Sequence, residues 1–172
     1  MKTSDLNIFG GNENIMRAFE ICHAGNFNMY LINSSDEDYR LSEKQFALLK
    51  NYLEPHVVED VNKAHIIVEV IRPSITDILK TRHQETIMAV RIRATEAKQK
   101  ATTLPEIFND SSMALLKTAY ERLGLMPYDI QIIMDVATTI AILDNPKTEE
   151  ISVAHIAEAI QYRSMSKEQR ES

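Results

Sequence analysis

The chain has 172 residues and carries 19 Lys plus Arg against 25 Asp plus Glu, a net charge of −6 with a pI near 5.4. With 44% hydrophobic residues, 26% charged residues and four glycines, the composition argues against a disordered chain and against a loop-rich all-β protein; the acidic balance argues against a general nucleic-acid coat. It predicts a helix-dominated globular protein of one domain or two small ones. The single cysteine, Cys22, has no internal disulfide partner. No apolar stretch approaches the roughly 20 residues that span a bilayer, and residues 1–9 hold no apolar run of signal-peptide length, so a cytoplasmic protein with no membrane contact is expected.

The first third mixes periods. Ile15, Met16, Phe19 and Cys22 recur at helical spacing and predict a helix over 13–23, with Gly25 placed for a left-handed C-cap. Residues 28–32, Asn-Met-Tyr-Leu-Ile, read as a short buried strand closed by the polar run 33–40. A helix over about 42–53 follows, with Phe46, Leu49 and Leu53 on one side and Pro55 ending it. The Ile and Val run over 65–71, interrupted by Glu69, predicts a second strand buried on both faces. Two strands alone are too few for a stable sheet, so this portion must lean on helices behind it.

From Pro73 onward the signals are helical. Ser74 can cap a short helix with Asp77 three residues on. Leu79, His83, Ile87, Val90, Ala94, Ala97, Ala101 and Leu104 then follow a spacing of threes and fours, with room for a break over 81–84. Ser111 or Ser112 opens a helix striped by Met113, Leu116, Tyr120 and Leu123 and ended by Gly124. Pro127 suits the first turn of the next helix, whose buried face is Ile130, Ile133, Met134, Ala137, Ile140 and Ala141. Asp144, Asn145 and Pro146 break the chain. Ser152 caps the last helix, with Ile151 and Ile156 placed as a hydrophobic staple.

Charge is uneven along the chain. Residues 72–100 hold seven basic and three acidic side chains, a local excess of +4, and the remaining residues sum to −10. Lys80, Arg82, Arg91, Arg93, Lys98 and Lys100 are therefore candidate contacts to nucleic acid or to an acidic partner, against the plainer reading of a solvated helix face. The five histidines include no pair at three-to-five spacing, so no metal site is expected. Cys22 with His23 reads as a core or boundary pair, and His155 as a surface or capping residue. The acids at 36–38 lack the spacing and sharp-turn glycine of a calcium loop.

Three stretches carry a family resemblance. Residues 120–165, with the "ERLGL" helix end, the "VATTIAIL" helix and the "ISVAHIAEAIQYRS" close, resemble the C-terminal helical domain of the magnesium-chelatase ATPase subunit and of the related competence-type ComM family of AAA+ proteins. Residues 5–32 are similar to the same family's entry to its nucleotide site, through Gly11, Glu13, Arg17, Ala18, Glu20, Ile21, Ala24, Gly25 and Asn28. Residues 66–73, "IIVEVIRP", add a third stretch.

The resemblance also marks what is missing. In the family, the strand ending here at Ile32 is followed by a phosphate-binding loop, G-x-x-x-x-G-K-[ST], whose backbone N–H groups, lysine and hydroxyl hold phosphate and magnesium. In gapless register its glycines become Asn33 and Asp38, its lysine Tyr39 and its hydroxyl residue Arg40, while Asp36, Glu37 and Asp38 stand where a polyphosphate belongs. Each like-charge pair at about 4 Å costs roughly 1 kcal/mol in water and more when buried. Glu69 is the lone acid of the second strand, where the family needs an acidic pair for magnesium and water. The lid arginines of the family fall at Tyr128, Ile132, Asp135 and Thr138.

The resemblance thus implies a mainly α protein with a small αβ part: a truncated AAA+ αβ remnant over 1–72 with about two strands, packed on a lid-type helical domain over 73–172. It implies no ATP hydrolysis, no cofactor and no catalytic residue. The function expected is that of an interaction or regulatory module whose partner is an intact AAA+ relative or a second copy. Two alternatives stand beside it: a DNA-binding accessory protein using the basic 72–100 helix, and a relict subunit that binds nucleotide without hydrolysis.

Overall fold

In the computed structural model, which describes residues 12–33, 47, 57–80, 87–101, 104, 105 and 107–164, helix α1 (Glu13–Gly25) leads into strand β1 (Met29–Asn33). Glu13 sits in the first turn of α1, where an acid complements the helix dipole. The left-handed residue that ends α1 is Asn26, at φ 57°, and the Phe27 N–H donates to the Cys22 carbonyl at 3.0 Å. Gly25 was expected in that role and has a different one. A Cβ at Gly25 would overlap the Phe27 ring, so glycine is required there for the ring to fold back on the helix.

Strand β2 (Ile66–Val70) pairs in parallel with β1, Met29 opposite Ile66 through Asn33 opposite Val70. Val57 bridges to Met29 as well. Ile66, Ile67, Val68 and Val70 are buried, as the near-continuous β-branched run predicts for a strand covered on both faces. A short 3-10 turn, Val61–Lys63, which no periodicity announced, precedes β2 and is capped by the Asp60 carboxylate accepting from Asn62 N–H. Asn12 and Asn14 fasten the start of α1 to the far end of β2: Asn12 accepts from Ile71 N–H, and Asn14 donates to the Glu69 carbonyl. The helix expected over about 42–53 lies outside the described residues apart from Ala47, which is helical.

Helix α2 (Ile75–Lys80) opens on the expected reciprocal cap, Asp77 N–H donating to Ser74 Oγ and Ser74 N–H to Asp77 Oδ2. Residues 81–86 lie outside the described residues. Helix α3 (Ile87–Lys100) buries Val90, Ala94 and Ala97. Leu104, assigned by spacing to the same stripe, is 66% exposed, because the helix has ended at Lys100 and the periodicity no longer applies.

The remaining helices are α4 (Asp110–Leu123), α5 (Pro127–Asp144) and α6 (Val153–Ser164). The cap of α4 is Asn109 rather than Ser111 or Ser112: its side chain accepts from Ser112 N–H at 2.8 Å. Ser112 is buried and donates its hydroxyl to the Ile151 carbonyl at 2.7 Å. Gly124 ends α4 at φ 59°, and Pro127 begins α5, both as the sequence predicts. Ile133, Ala137, Ile140 and Ala141 are buried, with Ile130 and Met134 partly so. Ile151 and Ile156 are fully buried around the start of α6.

Two-residue strands β3 (Ile107–Phe108) and β4 (Glu150–Ile151) pair in parallel and set the entries to α4 and α6 side by side. The first helix packs on α3 and α5, α5 packs on α6, and α6 also reaches β2. One apolar core therefore runs through residues from both halves of the chain, from Ile15, Phe19 and Ile66 to Ile133, Ile140 and Ile156. The fold is mainly α with a small αβ part. No helix among the described residues is long and apolar enough to cross a membrane.

Candidate interaction surface

The two helices α4 and α5 diverge from the Gly124 turn and leave an open groove between them of about 360 Å³. Met113, Leu116, Lys117, Tyr120, Pro127 and Ile130 line it. The sequence puts Met113, Leu116, Tyr120 and Leu123 on one stripe, of which Leu116 is buried and Leu123 partly so; the other buried residues of α4 are Ser112 and Ala119. The true inward face is rotated from that stripe, so Met113 and Tyr120 stand at the groove. Together with Met126 and Tyr128, which flank Pro127, they are 44–53% exposed. Met113 and Tyr120, exposed on the same groove as Leu116, Pro127 and Ile130, give it the apolar lining that marks association surfaces. Methionine and tyrosine suit such a role, being adaptable and amphipathic respectively.

The positions that the family resemblance links to nucleotide contact lie along α5. Tyr128 is exposed, Ile132 and Thr138 are half-buried, and Asp135 accepts from Gln131 at 2.9 Å. Thr138 returns its hydroxyl to the Met134 carbonyl. An arginine does lie beside Tyr128, its Cζ 6.0 Å from the ring centroid, but it is Arg163 of α6. Arg163 is 1% exposed and donates to the Asp129 carboxylate through Nε and Nη2. Asp129 is 2% exposed, and its other oxygen accepts from Met126 N–H, so it caps α5 and neutralises Arg163 together. Of the phosphate-loop positions, Asn33 is the last residue of β1, and Asp36, Asp38, Tyr39 and Arg40 lie outside the described residues.

The basic positions are dispersed. Arg93 donates to Glu20 at 2.5 Å and Lys100 to Glu96 at 2.9 Å, so two of the candidate phosphate contacts are already paired with carboxylates. Lys98 lines a hollow of about 400 Å³ at the ends of α1 and α3, with Ala24, Ala101 and Ile142. Arg91 is half-buried, Lys80 closes α2, and Arg82 lies outside the described residues.

Sequence reasoning missed a charged cluster around Arg17. Arg17 donates to Glu158 of α6 at 2.9 Å, to Glu20 of its own helix at 2.8 Å and to Asp144 at the end of α5 at 2.8 Å. Burial opposes its charge and is the largest single influence. The bonds to Glu158 and Glu20, reinforced by Asp144, outweigh it and raise an already high pKa. Tyr162 donates to Glu158, and burial followed by that carboxylate's charge raises the phenol. His155 caps α6 by accepting from Ser152 N–H and stands 3.7 Å from Asp144. Cys22 is buried, and desolvation raises its thiol, consistent with a core side chain. His23 contacts the Thr95 hydroxyl and His65 accepts from Asn28 N–H, so both act within the fold.

Residues 75–163 match the family model described as magnesium chelatase, subunit ChlI C-terminal. The matched segment begins at the first residue of α2 and ends at Arg163. No curated protein and no solved structure matches the chain.

Proposed function

Because this chain belongs to the magnesium chelatase ChlI C-terminal family, we propose that it works as an AAA+-derived interaction module with no ATPase activity of its own, binding an intact ATPase of the same family through its helical lid. The observation that carries this reading is the apolar groove between α4 and α5, where Met113 and Tyr120 are exposed while the helices around them are well packed. The sequence supports the non-catalytic part: Asn33, Asp38, Tyr39 and Arg40 stand where the family resemblance calls for glycines, a lysine and a hydroxyl. A groove walled by Leu116, Pro127 and Ile130 with aromatic and methionine edges accepts an apolar anchor from a partner, and desolvated aromatic anchors dominate interface energies.

The test is size-exclusion chromatography of the purified chain mixed with an intact family ATPase. Co-elution that is lost in Tyr120→Asp is the expected result. Absence of co-elution by the wild-type chain would overturn the proposal. DNA is the weaker reading, since Arg93 and Lys100 are held by Glu20 and Glu96.

A further inference from the structure

We propose that Arg17, Glu20, Asp144 and Glu158 form an ionic latch that fastens the first half of α6 onto α1, separately from the packing that folds the chain. The latch joins two parts of different kind: Arg17 and Glu20 lie before the family-matched segment, and Asp144 and Glu158 lie within it. Arg17 spreads its guanidinium over three carboxylates on α1, α5 and α6, a fork geometry that a lysine cannot reproduce. Glu20, whose side chain is 4% exposed, accepts from Arg17 on one oxygen and from Arg93 of α3 on the other, so it ties α1 and α3 to the same cluster. His155 and Tyr162 complete the surroundings, beside Asp144 and Glu158 respectively.

The second half of α6 is held differently. Arg163 is buried against Asp129 and the Ala64 carbonyl, out of reach of solvent ions. Arg17 is 28% exposed, Glu158 27% and Asp144 47%, so salt reaches this cluster and not the Arg163 pair. The two fastenings on one helix therefore respond to different conditions, and the first half of α6 can be released while the second stays docked. Release bares the α1 and α5 surfaces beneath Glu158 and lifts Ile156 out of its packing, while the core around α1, β2 and α5 stays folded. The latch is independent of the partner reading above, since it concerns the chain alone.

The experiment is amide hydrogen exchange on the full chain, comparing wild type with Arg17→Met. Exchange at residues 157–160 is expected to rise about tenfold, while residues 66–70 and the amides near Arg163 keep their protection. A uniform rise across all elements would mean that Arg17 serves global stability alone and would overturn the latch, as would no change at 157–160. Should Arg17→Met not fold, wild type read at about 0.05 M and 1 M salt gives the same comparison. There, faster exchange confined to 157–160 supports the latch and an unchanged pattern overturns it.

Discussion

Arg163 donates through Nη1 to the backbone carbonyl of Ala64 at 2.8 Å, tying the last turn of α6 to the residue two before β2. The same guanidinium neutralises Asp129, so one buried cation joins α5, α6 and the strand segment. Breaking a buried pair by removing one partner leaves an uncompensated charge and costs about 3–5 kcal/mol. Arg163→Met is expected to lose that much in urea unfolding. The double variant with Asp129→Asn should recover at least about 1 kcal/mol of it, because the asparagine carries no charge and still offers an oxygen to Met126 N–H. Simple additivity of the two losses would contradict this account.

Gly25 and Asn26 divide the C-terminal turn of α1 between them. Gly25→Ala forces a Cβ into the Phe27 ring and is expected to cost about 1–3 kcal/mol. Asn26→Gly, at the left-handed position, should be neutral or slightly stabilising. Equal effects at the two positions in thermal or urea melts would contradict this division, and the opposite ranking would show it to be reversed.

Asn109 provides the side-chain cap of α4, and Asn109→Ala should destabilise by about 1 kcal/mol. Ser111→Ala, one position inside the helix and exposed, should change stability by less than about 0.5 kcal/mol. The comparison is read from the denaturation midpoint of each variant.

Burial raises the Cys22 thiol above its ordinary value, about 8.5. The folded chain keeps the proton at a pH where the unfolded chain has lost it. The contribution to stability is therefore full below about pH 8.5 and declines as pH rises, by up to about 1.4 kcal/mol per pH unit. Stability of the wild-type chain should fall from pH 8 to pH 10 more steeply than that of Cys22→Ala. A thiol reagent should also react with Cys22 at the rate of unfolding rather than on mixing.

Much of the fold is legible in the sequence where the signal is local. The Ser74 and Asp77 box, the Pro127 start and the Gly124 stop are set by chemistry within four residues, and each stands where the spacing puts it. Local signals fail where several residues offer the same chemistry. Asn109, Ser111 and Ser112 are all good caps, and which one serves depends on where Ile151 and β4 lie. Strands of two residues, such as Ile107–Phe108, have no period to read. The groove is hidden in the sequence because Met113 and Tyr120 share a helical stripe with Leu116, and only the packing of α4 on α6 decides which side of that stripe is covered.

Arg17 is visible in the sequence as part of the family-like segment, yet its partners Asp144 and Glu158 are 127 and 141 positions away. Asp129 and Arg163 did leave a trace. Arg163 falls one helical turn beyond Ala159 on the buried stripe of α6, and Asp129 one turn before Ile133 on that of α5. Charged residues in register with a core face, one acid and one base, are the pattern of a buried ion pair.

Absence of nucleotide binding follows from the proposed interaction-module reading, in which Asn33, Asp38, Tyr39 and Arg40 stand where the family resemblance calls for a phosphate-binding loop. A ligand at 100 times its dissociation constant adds about 2.7 kcal/mol of stability, so adding ATP with magnesium should leave the melting temperature of this chain unchanged. A shift of several degrees would favour a relict nucleotide-binding subunit.

The most direct measurement of the central claim is steady-state ATP turnover by an intact ATPase of this family titrated with the chain. Turnover should change saturably with the wild-type chain, and Tyr120→Asp should need at least about tenfold more protein for the same effect. The chain alone should hydrolyse nothing. Turnover that stays flat at every concentration of the wild-type chain, or a Tyr120→Asp curve that superimposes on it, would contradict the account.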